Sequence, residues 1–353
     1  MDIDERIEII RSEPTEEIVT DQDLRTVLET KAHPKHYIGF EISGMLHIGH
    51  VLVVGKKIND LEKAGVQTQI LIADWHTVAN QKLGGDWERI KKAAEFYKRV
   101  FSFVCPNSKI ILGSDLYHNN NEYWKDVMKI SAKTTMARAT RTLIIQGRSE
   151  KDTLHVSQYI YPMMQVADIK ALDVDISHAG MDQRKVHMLA REVFGELHDK
   201  RPLALLHTHL LQSLLEPQKL NESATKEEIA TAMKMSKSKP GSGINILAGK
   251  EDIKRIISGG WCPEGVTEGN PILGLCRYVI FPHLKTMKIE RSSKYGGDIE
   301  FSSYRDLEEY FAGKKLHPAD LKSAVASSMI KIISPISDRF SGEKEELGRL
   351  FAV

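Results

Sequence analysis

Two short segments carry side chains suited to the chemistry of phosphates. The first combines glycines with two histidines three residues apart and reads Gly44-Met45-Leu46-His47-Ile48-Gly49-His50. Glycine lets a backbone come close to a ligand, and a helix N-terminus offers free N–H groups to an anion. On a first helical turn, His47 and His50 would point the same way and could donate to phosphoryl oxygens. The alternative is two ordinary histidines at a helix start.

The second segment is basic and is closed by proline and glycine. It reads Lys234-Met235-Ser236-Lys237-Ser238-Lys239-Pro240-Gly241-Ser242-Gly243. Lysines that alternate with small polar residues are typical of a loop that folds over a polyanion. Cations that arrive with such a closure act on the transition state more than on the ground state. The alternative is a solvated basic surface loop.

A third group of polar side chains has helical spacing. Tyr161, Gln165 and Asp168 are spaced i, i+4 and i+7, so they lie on one face of a predicted helix. A buried face that holds Gln and Asp is costly unless a polar partner meets it. This face therefore indicates a binding pocket, and the alternative is a polar stripe that faces solvent.

Repeated apolar runs followed by helical patterns surround these residues. The predicted strands are 37–41, 69–73, 109–112 and 175–179, and strand–helix alternation predicts a parallel sheet with helices on both faces. Two short helices precede them, with Asp21 expected to cap the second. From about residue 240, helical periods separated by Gly or Pro replace the strand pattern, but 285–298 gives no clear element.

The composition narrows the class of protein. At 353 residues the chain suits a large domain plus a smaller one. A net charge of +1 excludes a polyanion binder held by bulk charge. Cys105, Cys262 and Cys276 are widely separated and predict neither a disulfide framework nor a metal site. An acidic start and the lack of any long apolar run predict a cytoplasmic protein without membrane segments.

The two phosphate segments together resemble the signature motifs of class I aminoacyl-tRNA synthetases. The match is letter for letter at 47–50 and 234–238. The resemblance implies an α/β fold, in which a Rossmann-type parallel sheet with a helical insertion precedes a mainly α-helical anticodon-binding domain. It also implies ATP with Mg²⁺, an aminoacyl-adenylate and transfer to the 3′ end of tRNA. The catalytic residues would be His47, His50, Lys234 and Lys237, and ATP would also meet Gly44, Gly49, Asp182, Met235 and Ser236.

Three further segments, 37–41, 161–168 and 180–185, resemble the substrate pocket of tyrosyl-tRNA synthetases of the archaeal and eukaryotic branch. The resemblance implies that Tyr37 and Asp168 take the hydroxyl of L-tyrosine, and that Tyr161, Gln165 and Gln183 hold its ammonium group. Asp182 would contact the ATP ribose and His76 would flank the pocket. Gly39 and Glu41 complete the predicted tyrosine site.

The resemblance also implies contacts with tRNA(Tyr) and a homodimer formed through the insertion. Arg138 and Arg141 would meet the acceptor end, with Arg184 and Lys185 near the active site. Near the anticodon, Asp320 would accept hydrogen bonds from the first base, and Tyr295 and His317 would stack around it. For each arginine a solvated surface charge is the alternative, and for Asp320 it is an N-cap of the helix that follows.

The domain bounds that we predict are 1–36 for N-terminal helices, 37–230 for the catalytic domain with an insertion at about 115–150, 231–245 for the basic loop and 246–353 for the helical domain. Two departures from the family pattern stand out. Ile42 replaces a usual proline, which would alter local stiffness, and Trp75 replaces a smaller residue, which could reshape the pocket wall.

Three other functions compete with tyrosine activation. A tryptophanyl-tRNA synthetase shares both motifs, and the pairing of Tyr37 with Asp168 argues against it. A nucleotidyltransferase of the same superfamily, such as a pantothenate synthetase, would lack the helical C-terminal third. A catalytically dead RNA-binding paralogue would not be expected to keep the histidines and lysines of both motifs.

Overall fold

The computed structural model describes residues 1–149, 152–199, 201–217, 235 and 241–352. They form two compact units, each described by itself. The first contains Met1–Gly44, Lys57–His209 and Leu350–Val353, and the second contains Met45–Lys56 and Leu210–Arg349. The domain bounds predicted from the sequence stay a prediction.

The first unit contains a six-stranded sheet. Its strands are β1 (Thr15–Val19), β2 (Lys35–Glu41), β3 (Gln67–Ala73), β4 (Lys109–Leu112), β5 (Ile176–Gly180) and β6 (Ala204–Thr208). The spatial order is β1-β6-β5-β2-β3-β4, and every pair is parallel except β1 with β6. The order reverses between β2 and β5, which is the switch point where ligands bind in open α/β sheets. The predicted α/β fold class is confirmed.

Helices connect these strands. They are α1 (Ile3–Arg11), α2 (Asp21–Thr30), α3 (Gly55–Lys63), α4 (Asp74–Ala79), α5 (Trp87–Val104), α6 (Gly113–Tyr117), α7 (Asn121–Lys133), α8 (Met136–Arg141), α9 (Val156–Ala171) and α10 (Arg184–Glu196). One hydrophobic cluster packs α1, α2 and α3 against the sheet, and a second includes residues of α7, α9 and α10. The predicted helical insertion corresponds to α7, α8 and the 3₁₀ turn Leu143–Gln146.

Two strands of the sheet were not predicted. β1 is a short edge strand with two glutamates, so it lacks the apolar alternation of an ordinary strand. β6 is buried along its whole length. The predicted cap of α2 is also wrong, because Thr20 is the N-cap and forms a capping box with Asp23. Thr-x-x-Asp before an apolar period carries that signal in the sequence.

The second unit is mainly helical. Its helices are α11 (Lys250–Gly259), α12 (Pro271–Leu275), α13 (Phe281–Leu284), α14 (Tyr304–Ala312), α15 (Pro318–Arg339) and α16 (Lys344–Phe351), the last of which ends in the first unit. The stretch 285–298, which the sequence left open, contains β7 (Met287–Ile289), which pairs in antiparallel fashion with β8 (Ile299–Phe301). Among the described residues, no helix is both long enough and apolar enough to cross a membrane.

Candidate active site

A buried carboxylate lies beside the switch point of the sheet. Asp168 is on α9 and is fully buried, and the hydroxyl of Tyr37 on β2 lies 3.4 Å from its Oδ2 atom. Gly39 is two residues further along β2, where an added Cβ would lie 2.8 Å from the Tyr37 hydroxyl. Glycine at this position therefore leaves room for the hydroxyl that the sequence assigned to substrate recognition.

The polar face of α9 points into the protein. Tyr161 and Asp168 are buried and Gln165 is half-buried. The alternative of a solvent-facing stripe is therefore wrong. The ring of His76, on α4, meets the Tyr161 ring edge-on at a centroid distance of 4.6 Å. The four side chains Tyr37, His76, Tyr161 and Asp168 thus belong to one buried cluster.

Two tyrosines that the sequence analysis missed complete this cluster. Tyr117, the last residue of α6, donates to Asp168 Oδ1 over 2.9 Å, and Tyr123, on α7, donates to the same oxygen over 3.0 Å. Their rings stack with centroids 4.4 Å apart. No motif marks them, because both enter the cluster through the packing of α6 and α7 near α9.

Burial dominates the electrostatics of this cluster. It raises the pKa of Asp168 to about 7, although hydrogen bonds from Tyr117, Tyr123 and Tyr37 act in the opposite direction. Burial also lowers the pKa of His76 to about 3, so its imidazole is neutral at physiological pH. The Nε2 atom of His76 is buried and has no hydrogen-bond partner among the described residues, 3.5 Å from Asp168 Oδ2.

A chain of amides runs from α9 to the turn after β5. Gln183, in the 3₁₀ turn Met181–Gln183, donates from Nε2 to the carbonyl of Ile145 over 2.9 Å. Gln165 Nε2 donates in turn to Gln183 Oε1 over 3.4 Å. This orientation leaves Gln165 Oε1 buried and without a hydrogen-bond donor among the residues that the structure describes. An acceptor held in this way suits a ligand that carries N–H groups.

Two further residues of the predicted tyrosine and ATP sites, Glu41 and Asp182, lie at or just after strand ends in the first unit. Glu41 is the last residue of β2, and its Oε1 accepts a 2.7 Å hydrogen bond from Asn80 Nδ2. Asp182 is buried in the turn that follows β5. Side chains at the carboxyl ends of parallel strands are in the usual place for a ligand site.

Both departures from the family pattern have a structural explanation. The backbone N–H of Ile42 donates to Thr77 Oγ1 over 2.9 Å, and a proline could not make this bond. Trp75 is 44% exposed and its ring lies 5.0 Å from that of Trp87. The tryptophan therefore packs against the half-buried ring of Trp87, while its neighbour His76 supplies the buried side chain.

The two histidines of the first phosphate segment lie side by side in the second unit. Their ring centroids are 3.8 Å apart, and the backbone N–H of Gly49 donates to His47 Nδ1 over 3.1 Å. The adjacent rings confirm the expectation that His47 and His50 point the same way. The π-helical turn Gly49–Val54 starts here. Gly44 has a φ of 142°, a left-handed conformation that favours glycine.

Only part of the basic segment can be placed. Met235 is buried, and its N–H donates to the carbonyl of Leu211 over 2.9 Å. Lys234, Ser236 and Lys237 lie outside the described residues. Their predicted roles stay predictions from the sequence.

Two of the arginines predicted to meet RNA make ion pairs. Arg138 binds both carboxylate oxygens of Glu192 at 2.8 and 2.9 Å, and Arg184 Nε lies 2.8 Å from Glu17 Oε2. Arg141 is exposed and Lys185 is half-buried.

The predicted anticodon residues lie in the second unit. Tyr295 is 63% exposed. His317 is the N-cap of α15, where its Nδ1 accepts from the N–H of Ala319 over 3.2 Å. Asp320 lies in the first turn of α15 instead, so the alternative that Asp320 caps this helix is wrong.

Comparison with known proteins identifies the family. The family described as tRNA synthetases class I (W and Y) matches residues 29–334. A tyrosine–tRNA ligase of Thermococcus kodakarensis is 41% identical over 98% of this chain and 97% of that protein. One from Sulfolobus acidocaldarius is 43% identical over 98% of this chain and 96% of that protein.

Solved structures give the same result. The tyrosyl-tRNA synthetase of Pyrococcus horikoshii, crystallised with L-tyrosine, superimposes with a TM-score of 0.90 at 39% identity, covering 99% of this chain and 100% of that one. A tryptophanyl-tRNA synthetase of Encephalitozoon cuniculi, at 13% identity and a TM-score of 0.68, shares the fold alone. The chain therefore belongs to the tyrosine–tRNA ligase family of class I aminoacyl-tRNA synthetases.

Proposed function

We propose that the buried cluster around Asp168 is the site where this chain binds L-tyrosine for activation with ATP. The reaction joins tyrosine to AMP as tyrosyl-adenylate, releases pyrophosphate and then transfers tyrosine to the 3′ end of tRNA(Tyr). One observation carries the proposal for the site. Among the described residues, Asp168 Oδ2 has only long contacts, 3.4 Å to the Tyr37 hydroxyl and 3.5 Å to His76 Nε2, so it can accept a closer hydrogen bond from a phenol.

The opposite end of the substrate would be held by the amides. Gln165 Oε1, which has no donor among the described residues, suits an ammonium group, which has three donors and no acceptor. Gln183 fixes the orientation of Gln165, because its own amide is fixed by the carbonyl of Ile145. Tyr161 would complete the ammonium site, and Gly39, Glu41 and His76 would border the pocket.

The chemistry needs no nucleophile from the protein. The carboxylate of tyrosine attacks the α-phosphate in line and pyrophosphate leaves, while protein donors stabilise the charge that builds on the phosphates. We assign this stabilisation to His47, His50, Lys234 and Lys237. The backbone at Gly44, Gly49, Met235 and Ser236 would meet ATP, and Asp182 would meet its ribose.

Mg²⁺ is proposed only as an ion that accompanies the phosphates of ATP. Magnesium in such sites usually keeps waters and substrate phosphates as ligands. Among residues 1–149, 152–199, 201–217, 235 and 241–352, no group of three His, Cys, Asp or Glu side chains could hold a metal ion. No residue is therefore assigned to the ion, and no step depends on it.

The contacts with tRNA(Tyr) are proposed for residues of both units. Arg141 is exposed and Arg138 is held in place by Glu192, and these two arginines would meet the acceptor end. Arg184, which is paired with Glu17, and Lys185 would contact the tRNA near the active site. Tyr295 is well exposed for stacking on a base, and Asp320 and His317 share the start of α15.

A homodimer through the insertion, in a cytoplasmic enzyme, is also proposed. Trp124 and Met128 are four residues apart on α7 and are 44% and 69% exposed, and Met136 on α8 is 64% exposed. Large apolar side chains on one exposed helix face suit a protein interface.

Pyrophosphate exchange with each of the twenty amino acids tests the proposed function. We expect tyrosine alone to support rapid exchange, and we expect Asp168→Asn to reduce it. Tyr304→Phe is a matched control, because it removes a tyrosine hydroxyl that donates to the carboxylate of Glu308 over 2.7 Å in the second unit. Faster exchange with tryptophan than with tyrosine would contradict the proposal.

A further inference from the structure

The two oxygens of the Asp168 carboxylate have different environments. Oδ1 accepts short hydrogen bonds from the hydroxyls of Tyr117 and Tyr123, at 2.9 and 3.0 Å. In the part of the chain that the structure describes, Oδ2 has only the longer contacts with Tyr37 and His76, at 3.4 and 3.5 Å. One oxygen is therefore firmly held by the protein, while the other keeps capacity for a further donor.

We propose that Tyr117 and Tyr123 are positioning residues that hold Asp168 through Oδ1 and present Oδ2 to the substrate hydroxyl. The proposal rests on the proposed function, because it assumes that Asp168 meets the phenol of tyrosine. It adds two side chains to the selection of tyrosine over phenylalanine, and neither of them needs to touch the substrate.

The two tyrosines are themselves firmly fixed. They are 4% and 2% exposed, and their rings stack on each other. The N–H of Tyr123 donates to Asn120 Oδ1, the cap of α7, over 3.1 Å. Two rigid donors on one oxygen fix the rotation of the carboxyl group, because a shift of about 1 Å would lose both bonds.

Both hydroxyls also favour the charged form of Asp168. A hydroxyl that donates to a carboxylate stabilises its charge, whereas burial acts against it. The ionisable groups around the carboxyl are Tyr37 on β2, His76 and Asp74 on α4, Tyr117 on α6, Tyr123 on α7 and Tyr161 on α9. His76 stays neutral because burial lowers its pKa, so it supplies no compensating positive charge. Loss of either hydroxyl would therefore favour a protonated Asp168, which is a weaker acceptor.

The test uses Tyr117→Phe and Tyr123→Phe in the full-length protein. Each change deletes one hydroxyl and keeps the ring that packs in the cluster. Pyrophosphate exchange is measured with tyrosine and with phenylalanine at several pH values between 6 and 9. We expect the ratio of kcat/KM for tyrosine to that for phenylalanine to fall by roughly tenfold in each variant, as for one hydrogen bond to a charged group.

The pH profile provides a second readout. The acid limb for tyrosine should move to higher pH in both variants, because Asp168 becomes harder to ionise. Tyr304→Phe, which removes a hydroxyl–carboxylate bond in the second unit, should change neither the ratio nor the profile.

If kcat/KM for tyrosine and for phenylalanine fell in proportion and the pH profile did not shift, the two tyrosines would contribute packing alone. That result would overturn the proposal. An unchanged ratio in folded variants would overturn it as well. If Tyr117→Phe does not fold, Tyr123→Phe decides the question by the same readouts. A wild-type protein that fails to activate tyrosine would instead refute the proposed function, so the two failures are distinct.

Discussion

The hydroxyl of Tyr37 lies 3.4 Å from Asp168 Oδ2 at the centre of a buried cluster. Within the described part of the chain, the hydrogen-bond partners of this carboxylate are tyrosine hydroxyls, a neutral histidine lies 3.5 Å away, and no lysine or arginine pairs with it. Asp168 is therefore not part of a structural ion pair with a basic side chain in this part of the chain. Under the proposed function, this carboxylate accepts a hydrogen bond from the substrate hydroxyl.

Removal of the carboxylate should reduce selectivity for tyrosine. In Asp168→Asn, kcat/KM for tyrosine should fall by roughly 10- to 100-fold, as expected for loss of a buried hydrogen bond to a charged group. The value for phenylalanine, which lacks the hydroxyl, should change far less. The double variant with Tyr37→Phe should lose less than the sum of the two single effects, because both side chains contact one hydroxyl. A wild-type ratio in folded Asp168→Asn protein would contradict this prediction.

Stability should depend on pH through Asp168. Burial raises its pKa from 3.8 to about 7. Between about pH 4 and about pH 7, Asp168 is therefore protonated in the folded state but ionised in the unfolded state. This contribution to stability is fully present below about pH 4 and is lost as the pH rises through about 7. Asp168→Asn removes it. The free energy of unfolding of wild type, relative to Asp168→Asn, should therefore decrease by a few kcal/mol from pH 5 to pH 8.5.

Denaturant titrations of both proteins at the two pH values measure this difference. Buried histidines such as His36, whose pKa burial lowers to about 3, act equally in both proteins and cancel. A difference that does not change with pH would show that Asp168 keeps an ordinary pKa.

At the start of α15, Asp320 should act in anticodon recognition without capping the helix, whereas His317 is the N-cap. Asp320→Ala should weaken aminoacylation of tRNA(Tyr) by about 1–3 kcal/mol, as for one base contact, and leave pyrophosphate exchange unchanged. His317→Ala should lower the free energy of unfolding by about 1 kcal/mol, because it removes the N-cap. A loss of stability in Asp320→Ala, with both activities reduced together, would assign Asp320 to the fold instead.

The basic segment should act mainly in the transition state. Lys237→Ala is expected to slow adenylate formation by roughly 10²-fold, about the loss of one preorganised electrostatic contact. Tyrosine affinity, measured by calorimetry without ATP, should stay near the wild-type value. Lys250→Ala, a change at an exposed lysine at the start of α11, serves as the control. An unchanged rate of activation would remove Lys237 from the mechanism.

The exposed apolar face of α7 should hold the homodimer together. Met128→Glu places a charge on a side chain that is 69% exposed, and burial of that charge in an interface is costly. Light scattering during gel filtration should show a dimer for wild type and a monomer for this variant. Val266→Glu, at an apolar residue that is 39% exposed in the second unit, should remain dimeric. A monomeric wild type would refute the homodimer.

Local patterns in the sequence were enough to predict much of the fold and to identify the family. Four of the six strands follow from apolar runs with helices between them, and the spacing of Tyr161, Gln165 and Asp168 placed them on one face of α9. These features depend on residues close together in the chain, where the periods of strand and helix fix the geometry. The residues of both phosphate motifs likewise lie within single short segments.

Tertiary structure decided the rest. β1 is held by its pairing with β6, since its own sequence has no strand period. Tyr117 and Tyr123 reach Asp168 only because α6 and α7 pack near α9. Gln165 Oε1 lacks a donor among the described residues because Gln183 and Ile145 orient the amides. The pKa of Asp168 follows from the same packing, because burial depends on every neighbouring element and not on the residues adjacent in the chain.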